Sequence, residues 1–288
     1  ERYKYIIAMH INPKLGEFDL DDLSAVKLQD YVLSELESGN LISSKGLANN
    51  SVIGIVNVLK SALKLAKSLE ICAVDNSDKI KLPMATEKPV TAFEKWEQEK
   101  LEKYCLSSNK TNYLGIVICL YTGIRLGELL ALTWNDIDFK SGIMTISKTA
   151  YRIKQNGKPQ VVIDKPKTKN SSRLIPLPKQ LLEILKRTRR ISKSDFVLST
   201  RTGGIVGTRA YQKTYERILK KLNIPYKNFH SLRHTFATRA IEMGMDVKTL
   251  SEILGHKNPV ITLQRYTHSM LSYKTEMMNK MGKMLNAI

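Results

Sequence analysis

Apolar residues in the first part of the chain recur at helical spacing. From Val52 to Leu69 they fall at Val52, Ile55, Val56, Leu59, Leu63 and Ala66, one stripe three to four residues apart, and Leu23 to Leu36 carries a second. Each stripe reads as one buried helix face, so residues 1 to 82 are expected to form a small helical bundle. The periodicity stops at Pro83 to Pro89 (PMATEKP), which predicts a linker. Beyond it, Ala92 to Leu106 reads as a polar-faced helix and Asn112 to Tyr121 as an apolar one. From Ile137 the period shortens to that of strands. Ile143 to Thr149, Gln160 to Ile163 and Leu174 to Ile175 alternate or are β-branched, with turn signals at Ser141-Gly142, Asn156-Gly157 and Lys169 to Ser172. Asn156-Gly157 within Tyr151 to Val162 predicts a tight, basic hairpin. Leu181 to Arg190 and Thr208 to Leu222 return to helical spacing, with a short strand expected at Asp195 to Leu198.

Near the C-terminus local signals sharpen the boundaries. Asp246 can cap a helix from Val247 to Leu254, Gly255 suits the position just past its end, and Asn258-Pro259 can open the next helix. Ser269 to Ile288 again shows helical spacing, through Met270, Leu271, Tyr273, Met277, Met278, Met281, Met284 and Leu285. The expectation is an α+β protein, mainly helical with a small antiparallel sheet. It is divided as 1–82, a linker 83–89, a second domain 90–268 and a C-terminal helix 269–288.

Charge changes the picture of the two halves. The chain holds 288 residues with a formal net charge of +19. Residues 1 to 87 carry 10 Lys+Arg against 12 Asp+Glu, whereas residues 88 to 288 carry 36 against 15. A polyanionic partner follows for the second half, because cations that neutralise phosphates release counterions. No apolar run reaches membrane-spanning length, so no membrane partner is expected. Cys72, Cys105 and Cys119 show no paired spacing, which argues against a disulfide framework or a zinc site and for a reducing, cytoplasmic setting. The chain opens Glu1-Arg2-Tyr3 within a helical pattern and without methionine, and reads as a fragment of a longer protein.

Candidate chemistry concentrates in His230 to Tyr266, a stretch with more arginine, histidine and tyrosine than a packed core needs. His230 and Arg233 fall one turn apart on one helix face, and His256 falls in a turn between helices. The H-x-x-R of His230 and Arg233, the L-G-H ending at His256, the R-Y-x-H around Tyr266 and the T-G-I-R-L-G-E-L of Thr122 to Leu129 together resemble the tyrosine recombinases, or phage-type integrases. The likeness runs from about Lys88 to the C-terminus and is most like integrases of conjugative transposons and other mobile elements. Any one block alone would mean little; four in order are hard to obtain by chance.

The resemblance implies a helical core-binding domain followed by a catalytic domain, and assigns roles. Tyr266 is the nucleophile that forms a 3′-phosphotyrosyl link, Arg125 and Arg233 grip the non-bridging oxygens, and Glu128 supports Arg125. His256 donates to the phosphate, His230 takes the tyrosine proton or orients the ring, and a lysine of KPKTKNSSRLIPL protonates the leaving 5′-oxygen. Lys167 matches the lysine motif best, with Lys169 and Lys165 as competitors in a turn of uncertain register. Lys60, Lys64, Arg152, Lys154, Lys158, Lys165, Lys169 and Arg173 are candidate DNA contacts. The implied partner is double-stranded DNA, engaged by a dimer on each duplex and a tetramer in synapsis, with accessory bending or directionality proteins. The C-terminal helix would dock on a neighbouring protomer, with folding back onto its own domain as the alternative. No metal and no cofactor are called for, since the tyrosine ester stores the phosphodiester energy.

Blander readings compete residue by residue. Arg125 and Glu128 three apart are usually a plain surface ion pair, but they follow a strongly apolar run, which favours a partly buried Arg125 whose fork Glu128 holds toward a phosphate. Lys60 and Lys64 are usually a solvated face, Tyr266 alone a packing aromatic and His234 a core histidine. A chromosome-dimer-resolving recombinase or a type IB topoisomerase would use the same chemistry. A non-enzymatic helix-turn-helix regulator would use Asp246 to Tyr266 for docking, but leaves Arg125, Lys167 and Tyr266 without a task.

Overall fold

The computed structural model describes residues 2–86, 91–108, 110–155, 158–164, 172–256, 258–260 and 270–285, without side chains at 154, 155, 158, 159, 270–274 and 276. It divides into two compact units, Glu1–Pro89 and Val90–Ile288.

The first unit is helical. α1 (Arg2–Ile6), a π-helical turn (Ile7–Ile11) and α2 (Asn12–Leu15) lead to α3 (Ala25–Ser38) and α4 (Asn49–Ser68). Ser24 caps α3 by accepting from Lys27 N. The stripes read from the sequence are its core: Leu28, Val32, Val52, Ile55, Val56, Leu59 and Leu63 are all buried. A buried carboxylate, Glu35, sits among them because His10 Nδ1 and Lys14 Nζ lie 2.9 and 2.8 Å from its oxygens, which offsets the cost of desolvation. Part of the stretch read as a linker is tied to this unit, since Asn49 Nδ2 donates to Met84 O and Asn50 exchanges hydrogen bonds with the Thr86 backbone.

The second unit packs helices around a small sheet. α5 (Lys95–Leu106) opens with a capping box between Glu94 and Glu97. The mostly apolar α6 (Leu114–Thr122) is buried except at Tyr121, and α7 (Leu126–Ala131) follows after a short turn. β1 (Ile137–Asp138), β2 (Ile143–Ile146) and β5 (Arg173–Pro176) form one antiparallel sheet in the order β1-β2-β5. β3 (Thr149–Gln155) and β4 (Lys158–Asp164) form a separate two-stranded ribbon, paired from Thr149↔Asp164 to Gln155↔Lys158. The alternating stretch Ile143 to Thr149, read as one strand, is therefore split between two sheets. The ribbon's tip, Asn156-Gly157, lies outside the described residues.

α8 (Lys179–Ile191) and α9 (Thr208–Lys221) pack on this framework, with Leu181, Leu185, Tyr211 and Tyr215 inward. Asp195 to Leu198 is no extended strand: it makes one bridge, Phe196 to Thr133. α10 (His230–Glu242) runs against α6, and α11 (Val247–Leu254) packs on α10 through Leu250, Leu254, Ala237 and Ile241. Asp246 Oδ1 accepts from Thr249 N, and Gly255 closes α11 at φ 67°, as its sequence signals require. α12 (Met270–Leu285) lies alongside α10. Among the described residues no helix is long and apolar enough to cross a membrane.

Candidate active site

Two tight turns build the site. The first ends α6 at Gly123, whose φ of 64° is left-handed. A Cβ there would come within 2.5 Å of Phe236 and 2.8 Å of Leu254, so only glycine lets α6 end this close to α10 and α11. Two residues later Arg125 is the N-cap of α7 in extended geometry, and its N–H donates to Glu128 Oε2 at 2.8 Å. Glu128 thus has a local reason for its position, as the N3 residue of a short helix. The second turn ends α11 at Gly255 and delivers His256, whose N–H donates to Ser251 O at 3.0 Å.

Three arginines from three different elements meet at the second turn. Arg173 Nε donates to Ile253 O at 2.7 Å, Arg233 Nη2 to Leu254 O at 2.7 Å and Arg125 Nη2 to Gly255 O at 3.2 Å. These are consecutive carbonyls at the C-terminal end of α11, where helical partners run out and the helix dipole is negative. The arginines are not equally accessible. Arg233 is 2 % exposed and donates also to Gly123 O, whereas the Arg125 side chain is 41 % exposed and open to an incoming anion.

Glu128 joins the arginines in a second way. Its Oε1 accepts from Arg125 Nη1 at 2.9 Å and Arg173 Nη1 at 3.0 Å, and its Oε2 from Arg173 Nη2 at 2.7 Å. Burial is the largest single influence on this carboxyl and pushes it up. The Arg173 fork, then the Arg125 N–H and charge, outweigh that and bring it down to about 2. Of the two readings of this i,i+3 pair, the partly buried one describes it: Glu128 is buried and serves two guanidiniums.

Arg173 is the main departure from the sequence reading. Expected on DNA, it has both Nη groups on Glu128 and Nε on a carbonyl, with a side chain only 10 % exposed. Strand alternation held the signal: Ile175 faces the core and Leu174 is 62 % exposed, so Arg173 shares the inward face and needs a buried partner.

His230 begins α10 and is exposed. It lines a recess of about 280 Å³ with Ile124 and Leu126, the neighbours of Arg125 on either side. Its ring meets that of His234 edge to face at 4.6 Å. His256 is half-buried beside Gly255. Tyr266, Lys165, Lys167 and Lys169 lie outside the described residues. Among the DNA-contact candidates Arg152 is exposed on β3, and the Lys154 and Lys158 side chains are not among those described. In the first unit Lys64 Nζ lies 3.0 Å from Asp78, which lowers that carboxyl and partly neutralises the Lys60, Lys64, Lys67 edge. Among the described residues no group of three or more His, Cys, Asp or Glu could hold a metal.

Known proteins resemble this chain in sequence and in fold. The phage integrase family matches residues 91–272. Over 92 % of this chain and 72 % of the relative, a tyrosine recombinase XerC-like protein of Caldanaerobacter subterraneus subsp. tengcongensis is 29 % identical. The Tn916 transposase of Enterococcus faecalis is 27 % identical over 97 % of this chain and 72 % of its own length, and the ICEBs1 integrase of Bacillus subtilis 27 % over 99 % and 77 %. The fold is that of the Tn1549 transposon integrase solved with a circular intermediate DNA, at a TM-score of 0.79, 23 % identity and coverage of 96 % of this chain and 92 % of that one. A lambda integrase dimer bound to a core site matches at 0.66, with 16 % identity over 92 % and 86 %. With a family match across most of the second unit and the motif arginines converging on one turn, the chain belongs to the phage integrase family and is a tyrosine-type, site-specific DNA recombinase.

Proposed function

We propose that this recombinase integrates and excises a mobile genetic element in the cytoplasm, with Tyr266 as nucleophile and Arg125, Arg233, His256, His230 and Lys167 as its partners on the phosphate. The observation that carries this reading is the convergence of Arg125 and Arg233 on the adjacent carbonyls of Gly255 and Leu254, immediately before His256. Two guanidiniums and a histidine held together by backbone are suited to a phosphate whose charge grows as the nucleophile attacks.

Tyr266 attacks phosphorus, the P–O bond to the 5′-oxygen breaks, and that oxygen leaves as a hydroxyl with a proton from Lys167. His230 accepts the tyrosine proton or orients the ring. The 3′-phosphotyrosyl ester conserves the bond energy. A 5′-hydroxyl from a second duplex then attacks it in reverse, without ATP or metal. Relatives named as the transposase of transposon Tn916 and as the ICEBs1 integrase support the mobile-element assignment over chromosome maintenance. A duplex-bound dimer and a synaptic tetramer are the working assemblies, consistent with solved relatives bound as a dimer to a core site and as a tetramer to a Holliday junction. In them α12 docks on a neighbouring protomer, a reading supported by Met278, Met281, Met284 and Leu285, which stand 55 to 84 % exposed on it.

The test is a covalent adduct on a nicked suicide duplex carrying the element's end. The wild-type chain forms one that survives boiling in detergent, in EDTA as well as in magnesium. Tyr266→Phe binds the duplex and forms none. An adduct in the Phe variant would remove Tyr266 from the mechanism.

A further inference from the structure

We propose that Arg173 is a positioning residue for strand cleavage: it fixes the Arg125 guanidinium and the turn carrying His256 relative to each other, so that both meet one phosphate. This rests on the reading of Arg125 and His256 as phosphate-gripping residues.

The Arg173 side chain reaches both parts of the site at once. Its Nη1 and Nη2 clasp the two Glu128 oxygens at 3.0 and 2.7 Å while its Nε holds Ile253 O at 2.7 Å. The same carboxylate orients Arg125 through Nη1 and through the backbone N–H. A glutamate held by Arg125 alone could rotate with it, because the Arg125 side chain is 41 % exposed and long. Clasped on its other edge by a buried fork, the carboxylate keeps one orientation and gives Arg125 one to match.

On the far side, Ile253 O belongs to the last turn of α11, three residues before His256. Arg173 also presses on Gly255: a Cβ there would meet its Nη1, Cδ and Cζ at 3.0 to 3.2 Å. The base of the clasp is firm, since Arg173 pairs with Ile146 across β5 and β2. Lysine offers one point charge, which can serve Glu128 or Ile253 O, but not both edges of the carboxylate and the carbonyl together.

The experiment uses the full chain with Arg173→Lys and Arg173→Gln. Duplex affinity is followed by anisotropy across a salt series, and single-turnover adduct formation is measured at saturating nicked duplex. Affinity is expected to stay within about twofold with an unchanged salt slope, while the adduct rate falls on the order of tenfold to a hundredfold. Guanidinium ion added to Arg173→Ala should restore part of that rate, and methylammonium should not. Weakened binding with a salt slope smaller by about one would make Arg173 a phosphate contact and overturn the proposal. So would an unchanged adduct rate.

Where an Arg173 variant fails to fold, Glu128→Gln keeps the side-chain shape and carries the same expectation. In the Arg173→Lys/Glu128→Gln double variant the loss should not exceed that of the worse single one, because both act through one clasp; additive losses overturn it. Arg125→Lys is the control for the underlying assignment. Normal cleavage by that variant would sink the catalytic reading itself, independently of Arg173.

Discussion

Arg233 and Gly123, 110 residues apart in sequence, are joined by a 2.9 Å hydrogen bond from guanidinium to carbonyl. The carbonyl belongs to the left-handed residue that ends α6, and the other Nη of Arg233 reaches Leu254 O. One buried side chain therefore ties the turn presenting Arg125 to the turn presenting His256.

Replacing Arg233 by lysine should therefore weaken the fold as well as the chemistry. One of two buried carbonyls would be left without this donor, at about 1–3 kcal/mol. Urea unfolding should show a lower midpoint beside a lost adduct. An unchanged midpoint would mean that Gly123 O and Leu254 O find other donors.

The Glu128 carboxyl sets a pH dependence of stability. Its folded pKa is depressed to about 2 against an ordinary value of 4.5, so the folded state binds its proton less readily than the unfolded chain. The stabilisation, on the order of 3 kcal/mol, is complete above about pH 5 and disappears as pH falls toward 2. Glu128→Gln should flatten the stability curve across that acidic window and leave its shape near neutrality alone. An acid limb of the same steepness in the Gln variant would assign it to other carboxylates.

The β3–β4 ribbon is expected to follow the DNA backbone without sharing in bond breaking. Removing residues 153–160 and closing the strands with a short turn leaves Arg152 paired with Val161. Binding should weaken, and the salt slope should fall by about one to two if Lys154 and Lys158 meet phosphates. Adduct formation on a suicide duplex should persist. Unchanged binding and recombination would leave the ribbon without a DNA role.

Truncation after Thr267 should impair assembly on paired sites more than binding to one site. α12 lies along α10 yet leaves three methionines and Leu285 exposed. Native-gel analysis of single-site and paired-site complexes separates the two effects. Normal higher-order complexes from the truncated chain would show that α12 packs within its own unit.

Much of this molecule could be read from local signals. The capped helix Val247–Leu254 and its terminal glycine needed only Asp246 and Gly255, because caps and left-handed residues act over a few positions. The Arg125, Glu128 pair and its partial burial were visible from spacing and from the apolar run before it, but the second guanidinium on Glu128 was not. That depends on Arg173 arriving from a strand 45 residues away. The Arg173 clasp was hidden for the same reason: one charged residue in a basic stretch looks like a phosphate contact until the strand's inward face is known. The break in the run Ile143 to Thr149 was hidden as well, since alternation persists while the partner strand changes from β5 to β3's own hairpin mate.

Three guanidiniums drawn so close would ordinarily repel one another and collect whatever anion was at hand. Here the carbonyl end of α11 and the Glu128 carboxylate cancel much of that field before any nucleic acid arrives. On the proposed assignment, discrimination falls to shape, and a phosphate is expected to gain its full hold only when a duplex carries it to the exposed edge of Arg125.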